Sequence, residues 1–254
     1  MALFTDVIST IQDLMSRDSS VLSTAETENI DLNAKMSLAQ QELGIELTTL
    51  LQRSNTYDWQ FWLQPNPQLN NVVVTPPLKL WHVFQSLALI YQDAYNSQLN
   101  DRYNGKWQQY QALARQAMGK VIETGVGICS DPIPRAAAPL LVSAAGGHTA
   151  MTYYASVSFL NSGGEEGQAG DASMLEVADG NVLVVQPVAA PINAVSWNVF
   201  VGGIATALVL QNPAPIPMDQ TWMQANDLIG SGRGPGPGQD PNYLRALPRV
   251  IQRG

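Results

Sequence analysis

Residues 153–160, Tyr-Tyr-Ala-Ser-Val-Ser-Phe-Leu, decide how the second half of the chain is read: Tyr153, Ala155, Val157 and Phe159 alternate with Tyr154, Ser156, Ser158 and Leu160. A period of two puts successive side chains on opposite faces of a strand. The alternation returns at 195–201, where Val195, Trp197, Val199 and Val201 interleave with Ser196, Asn198 and Phe200. Both stretches are expected as half-buried strands. Around them, residues 140–144, 174–177, 182–186, 207–211 and 221–224 read as further β segments. Turn signals separate these at Ser162-Gly163-Gly164, Asp179-Gly180-Asn181, Gly202-Gly203 and Asn212-Pro213. About seven strands at spacings of about 8–12 residues predict an antiparallel β-sandwich of immunoglobulin or fibronectin type III kind over 132–229.

Upstream of Pro132 the period is helical. Phe4, Val7, Ile8, Ile11, Leu14 and Met15 share one helical stripe, and a longer helix over 31–53 buries Leu32, Met36, Leu43, Leu47, Leu50 and Leu51. Between Ser54 and Thr75 the pattern breaks, with Trp59, Phe61 and Trp62 ahead of Pro65, Pro67, Asn70 and Asn71, which predicts a loop with an aromatic anchor. Thr75-Pro76-Pro77 starts a third helix, because proline suits a first turn whose N–H groups have no partner. A fourth carries Tyr103, Trp107, Tyr110, Ala114, Ala117, Val121 and Ile122 and stops at Gly125. The fold expected is therefore an α+β multidomain chain: an α-helical bundle over 1–131, the β-sandwich over 132–229, and a Gly/Pro-rich linker and extended docking arm over 230–254.

A length of 254 residues agrees with two domains, at about 150 residues each. The net charge of −8, with only 13% charged residues, excludes a nucleic-acid-coating protein and a charge-rich disordered chain. Gln and Asn together number 37, against 34 charged residues, so the polar surface is mainly amide, which suits packed subunit contacts. Residues 1–131 carry −5, 132–229 carry −6 and 230–254 carry +3, a basic arm on an acidic body. The single Cys129 excludes an internal disulfide framework, and His82 and His148 leave little for metal chemistry. Neither a secretory signal nor an apolar run near about 18 residues is present, so folding in a reducing cytoplasm and no membrane partner are expected.

The candidate reactive groups read as structural. GSGRGPGPGQDP (230–241) lacks the Lys-Ser/Thr of a phosphate loop and reads as a linker. His82, beside Trp81 on an apolar helix, reads as a core or interface histidine, His148 as a loop residue and Cys129 as a small buried hydrophobe. Glu165-Glu166, between Gly164 and Gly167, reads as a solvated hairpin tip, because a glycosidase pair needs carboxylates on opposite sides of a sugar. Trp81, Phe84, Tyr91, Tyr95, Tyr103, Trp107 and Tyr110 are mostly core by helical spacing. With no nucleophile, base and orienter set, the expectation is no enzyme, no catalytic residues, no cofactor and no metal.

Several stretches carry a resemblance. Leu80-Trp81-His82-Val83-Phe84, Tyr91-Gln92-Asp93-Ala94-Tyr95, Leu99-Asn100-Asp101-Arg102-Tyr103 with Lys106-Trp107, Gly127-Ile128 and Pro132-Ile133-Pro134-Arg135-Ala136 resemble virion proteins of tailed bacteriophages. Residues 153–161 with Gly164-Glu165-Glu166-Gly167, and Ser196-Trp197-Asn198-Val199-Phe200-Val201-Gly202, are similar to fibronectin-like modules of phage structural proteins, which would carry Gly and Tyr at 196 and 200. A bundle joined to a sandwich with an arm is similar to head-to-tail adaptor (connector) proteins. The resemblance implies a structural protein of the virion neck, made in the host cytoplasm and forming a homo-oligomeric, dodecameric ring. It further implies contacts to the portal protein above and a tail or nozzle protein below, with genomic DNA passing through the channel without sequence-specific binding. An acidic ring would let DNA slide through it. The alternatives are a tail-fibre or baseplate subunit with a β-sandwich adhesion module, and a virion hydrolase, which would need a paired-carboxylate cleft.

The arm supplies the candidate site residues. Tyr243, Leu244, Leu247, Val250 and Ile251 are apolar, Arg245, Arg249 and Arg253 recur every fourth residue, and Pro248 interrupts a helix. The expected arm is extended or briefly helical and docks in trans on a neighbouring adaptor or the portal, arginines in an acidic groove and aliphatics in apolar pockets.

Overall fold

The computed structural model describes residues 1–54, 67–98, 101–225 and 227–245. It is an α+β arrangement, five helices followed by antiparallel sheets, and the chain divides into two compact units. One comprises Val7–Ser130 with Pro241–Gly254, the other Met1–Asp6 with Asp131–Asp240. The first six residues and most of the Gly/Pro-rich stretch thus belong to the β unit, and residues 241–245 return to the helical one.

The helical unit holds α1 (Ile11–Arg17), α2 (Val21–Glu28), α3 (Leu32–Ser54), α4 (Pro76–Gln98) and α5 (Asn104–Thr124), with a 3-10 turn at Leu69–Asn71. The apolar stripe read from Phe4 to Met15 is interrupted. Thr10 and Asp13 form a capping box that starts the helix only at Ile11, and Val7 is left exposed. Helix α2 was not expected, because VLSTAETE carries two large apolar residues and no stripe; it ends at Asn29 in the left-handed region (φ 53°). Asp31 caps α3 by accepting from the Asn33 and Ala34 amides at 2.9 and 3.1 Å. Helix α4 begins at Pro76 and α5 stops at Gly125, whose φ of 98° is open to glycine, as the sequence predicts. Leu43, Leu47, Leu78, Leu87, Ile90 and Tyr91 form the heart of the helical core. Trp81, Phe84, Tyr103 and Tyr110 are buried there too, whereas Tyr95 and Trp107 stack half-buried at 5.7 Å. Two three-residue strands close the unit, β1 (Val126–Ile128) and β10 (Asn242–Leu244), paired antiparallel. The aromatic anchor at 59–62 lies outside the described residues.

In the β unit, β2 (Leu140–His148), β5 (Asn181–Gln186) and β9 (Trp222–Met223) form one antiparallel sheet in the order β2-β5-β9. The other holds β3 (Met151–Leu160), β4 (Ser173–Val177), β6 (Ser196–Gly202) and β7 (Val209–Leu210) in the order β4-β3-β6-β7, with β8 (Ile216–Pro217) also on β6. Inward residues of both sheets share one apolar cluster: Tyr153, Ala155, Val157, Phe159, Trp197, Val199 and Val201 from one, Leu183 and Val185 from the other. The central strands depart from the half-buried expectation. Ser156, Ser158, Asn198 and Phe200 on the opposite face are also buried, Phe200 against Ala169 and Leu208. Residues 166–171 lie over that face, with Gly167 N donating to Phe159 O (2.9 Å) and Gly170 N to Val157 O (3.0 Å). A Cβ on Gly170 would sit 2.6 Å from Ala136 O, so only glycine permits the approach.

Candidate interaction surface

The sequence predicts a linker leaving the body over 230–241; instead residues 229–240 lie along the β unit as a strap. Side-chain amides hold it. Gln211 Oε1 accepts from Ile229 N (2.8 Å), while its Nε2 donates to Ile229 O (3.1 Å) and Val209 O (3.0 Å). Leu210 N donates to Arg233 O at 3.0 Å. At the far end Gln239, 3% exposed, accepts from Ile133 N (2.7 Å) and donates to Asp131 O (2.9 Å) and Glu165 Oε2 (2.8 Å). Gly and Pro signal a linker because they disfavour helix and strand. Here they permit packing instead, since glycine adds no bulk and proline has no N–H to satisfy.

Glu166 is the strap's charged anchor and corrects the reading of Glu165-Glu166 as a solvated tip. Glu165 is exposed, but Glu166 is half-buried; it accepts from Ser158 Oγ, from Asn198 Nδ2 at 3.0 Å and from Arg233 Nη1 at 2.7 Å. Burial raises its pKa, but the hydrogen bonds from Arg233, Asn198 and Ser158 outweigh that and hold it below the usual range. It is thus an ionised acceptor. The Arg233 guanidinium also lies 5.4 Å over the Phe200 ring. Behind Asn198, Asn212 Nδ2 donates to Asn198 Oδ1 (2.8 Å) and Ala214 O (2.9 Å), while Asn212 Oδ1 accepts from Val199 N (2.8 Å). Six amide side chains of this unit, those of Asn161, Asn198, Gln211, Asn212, Gln224 and Gln239, are buried within it and so are not available as subunit-contact surface. The only sequence signal for these residues was the amide excess, which names no position.

The expected arm residues separate into two groups. Tyr243 and Leu244 lie in β10, opposite Gly127 and Val126, so this part pairs with its own chain. Leu244 is 7% exposed and Tyr243 53%, and Arg245 is exposed. Leu247, Arg249, Val250, Ile251 and Arg253 lie outside the described residues.

The helical unit has one ionic knot that the sequence reading missed. Asp18, buried after α1, accepts from Tyr91 Oη (2.6 Å), Tyr110 Oη (2.9 Å), Ser20 Oγ (2.7 Å) and Lys106 Nζ (2.7 Å). Burial raises its pKa, but the hydrogen bonds from Lys106, Tyr91 and Ser20 prevail and hold it far below the carboxylate range. Tyr110 is pushed up by burial and by the Asp18 carboxylate. With its lone pairs filled by donors, Asp18 ties α1–α2 to α4 and α5 and has no capacity left as a base. His82, 2% exposed, donates from Nε2 to Met36 O (3.0 Å) and accepts at Nδ1 from Ser9 Oγ (2.8 Å); burial lowers its pKa, which fits a neutral ring. Cys129 is buried. His148, at the end of β2, faces the exposed Asp227 carboxylate at 3.7 Å. Among the described residues no group of three His, Cys, Asp or Glu could hold a metal, and no helix is long and apolar enough to cross a membrane.

The outer face of the β2-β5-β9 sheet is apolar. Val142, Val184 and Met223 sit side by side in register, with Leu140 beside them; Leu140 is 50% and Met223 56% exposed. Strand β2 is the edge of that sheet, and residues 136–164 contain no Asp, Glu, Lys or Arg. Soluble proteins commonly guard such edges with charge. Compared with protein-family models, curated proteins and solved structures, the chain matches none.

Proposed function

We propose that the protein is a structural subunit of a tailed-bacteriophage virion, a head-to-tail adaptor whose copies form a dodecameric ring between portal and tail around the DNA channel. The resemblance of residues 80–84, 91–95, 99–103, 106–107, 127–128, 132–136, 153–161, 164–167 and 196–202 to phage structural proteins carries the reading. The β unit is on this reading an immunoglobulin or fibronectin type III-like sandwich. Supporting that, β3, β6 and β7 adjoin as the C, F and G strands do in such folds, and β2 pairs with β5 as B does with E. Among the described residues the departures are an empty first-strand position and β9 on the far side of β5.

The uncharged β2 edge and the apolar row beside it suit contacts between copies, which desolvate few charges. The net charge of −8 suits a channel through which DNA slides without adhering. Electron microscopy of assembled particles carrying a labelled chain tests the reading. A ring at the portal vertex is expected. One to three copies per particle, or label on a fibre or baseplate, contradicts it and favours the adhesion-module alternative.

A further inference from the structure

A cleft of about 320 Å³ opens between α3, α4 and α5 of the helical unit, lined by Glu42, Ile45 and Glu46, by Trp81, and by Arg115 and Met118. Ile45 is 68% exposed, flanked by the carboxylates of Glu42 and Glu46. Glu42 accepts from Gln85 Nε2 at 2.6 Å, and Glu46 has no ion pair among the described residues. Two carboxylates against one guanidinium make the rim acidic over an apolar floor.

The chain holds a segment of matching chemistry. After β10 it continues Arg245-Ala246-Leu247-Pro248-Arg249-Val250-Ile251-Gln252-Arg253, cationic at every fourth residue and aliphatic between. The segment also starts close by. Leu244 O lies 2.9 Å from where a Cβ on Gly125 would be, so residue 245 leaves from the C-terminal end of α5. Met118 and Arg115 stand seven and ten residues earlier on that helix. That is about 10–15 Å at about 1.5 Å per residue, whereas the nine residues 246–254 reach about 30 Å when extended. A tether this short gives its own cleft a millimolar-range effective concentration of the segment.

We infer that residues 246–254 seat in the α3–α4–α5 cleft of their own chain, arginines against Glu42 and Glu46 and aliphatic side chains over Ile45 and Trp81. Pro248 keeps the segment extended. Arg115 opposes the arginines, so the apolar contacts must carry part of the affinity. The sequence alone pointed to docking in trans; the short reach favours the same copy. The inference does not depend on the proposed virion role, so either can fail without the other.

Thiol trapping in the full chain tests it. In a Cys129→Ser background, Ile45→Cys is paired with Leu247→Cys or with Ile251→Cys, and Glu26→Cys on α2 replaces Ile45→Cys as the control. Equal mixing with isotope-labelled chain separates links within one chain from links between chains. An intramolecular disulfide forming about tenfold faster than the control is expected, slowed about fivefold by Glu42→Lys with Glu46→Lys. Should the reversals unfold the chain, about 1 M salt on the unreversed pair gives the same readout, a slower link. Links mainly between chains overturn own-chain seating. Rates equal to the control overturn the cleft as the acceptor.

Discussion

The helical unit and the β unit meet the demand for buried hydrogen bonds in opposite ways. Helices satisfy their own backbones, so the buried polar tie among α1–α2, α4 and α5 gathers on one carboxylate, in the Asp18–Lys106–Tyr91–Tyr110 knot, while the Lys79–Asp13 ion pair and the bonds from Ser97 and Tyr103 to Glu28 add more exposed ties. The strap over 229–240 contains no regular structure and must borrow partners for its backbone, which Gln211 and the Leu210 amide supply. Gln239 works in reverse, a strap side chain satisfying backbone groups of residues 131 and 133. The charged tie is concentrated, the amide tie distributed. Damage to the first should therefore be felt through the whole helical unit, and damage to the second only locally.

The largest effect is expected at the knot. Asp18→Ala removes the acceptor of two phenols and the ion partner of Lys106, and should destabilise the helical unit by about 3 kcal/mol, read from its own denaturant transition. Acid should act in two windows. His82 has a lowered folded pKa, so the unfolded chain takes up its proton first and stability falls as pH drops below about 6.5. Asp18 also has a lowered folded pKa; its contribution is complete above about pH 4 and is lost as pH falls below that. Asp18→Asn should flatten the lower window and leave the upper one. An unchanged acid profile would show that the knot carries no linkage.

Next in size, Gln239→Ala leaves the buried Ile133 N–H without a partner and the Asp131 carbonyl with only Asn161 Nδ2 as donor, and should cost the β unit about 2 kcal/mol, with no shift in the helical transition. The smallest effect is expected at Arg233, whose ion pair with Glu166 is 46% exposed on the arginine side. Arg233→Ala should cost under about 1 kcal/mol, and less at high salt. An Arg233 effect exceeding that of Gln239 would mean that charge, not amides, holds the strap.

Legibility followed periodicity. The strands around Tyr153–Phe159 and Trp197–Val201 and helices α3, α4 and α5 could be read because a repeated apolar spacing survives in each. Helix α2 and strands β1 and β10 were missed because too few residues carry a pattern. The burial of Ser158 and Asn198 was hidden for a different reason: their cover comes from glycine-rich segments that read as turns and linker. The binding partners were equally hidden, since Gln211 meets Ile229 across 18 residues and Gln239 meets Ile133 across 106. No local rule links such positions, whereas the capping pair Thr10 and Asp13, three residues apart, follows a known pattern.

The distributed tie is tested most directly by residue-resolved amide hydrogen exchange of Gln211→Leu beside the unsubstituted chain. The account predicts that exchange at Ile229, whose N–H donates to Gln211 Oε1, accelerates about tenfold or more, while Ile133, held by Gln239, keeps its protection. Unchanged protection at Ile229, or equal loss at Ile133, would contradict it.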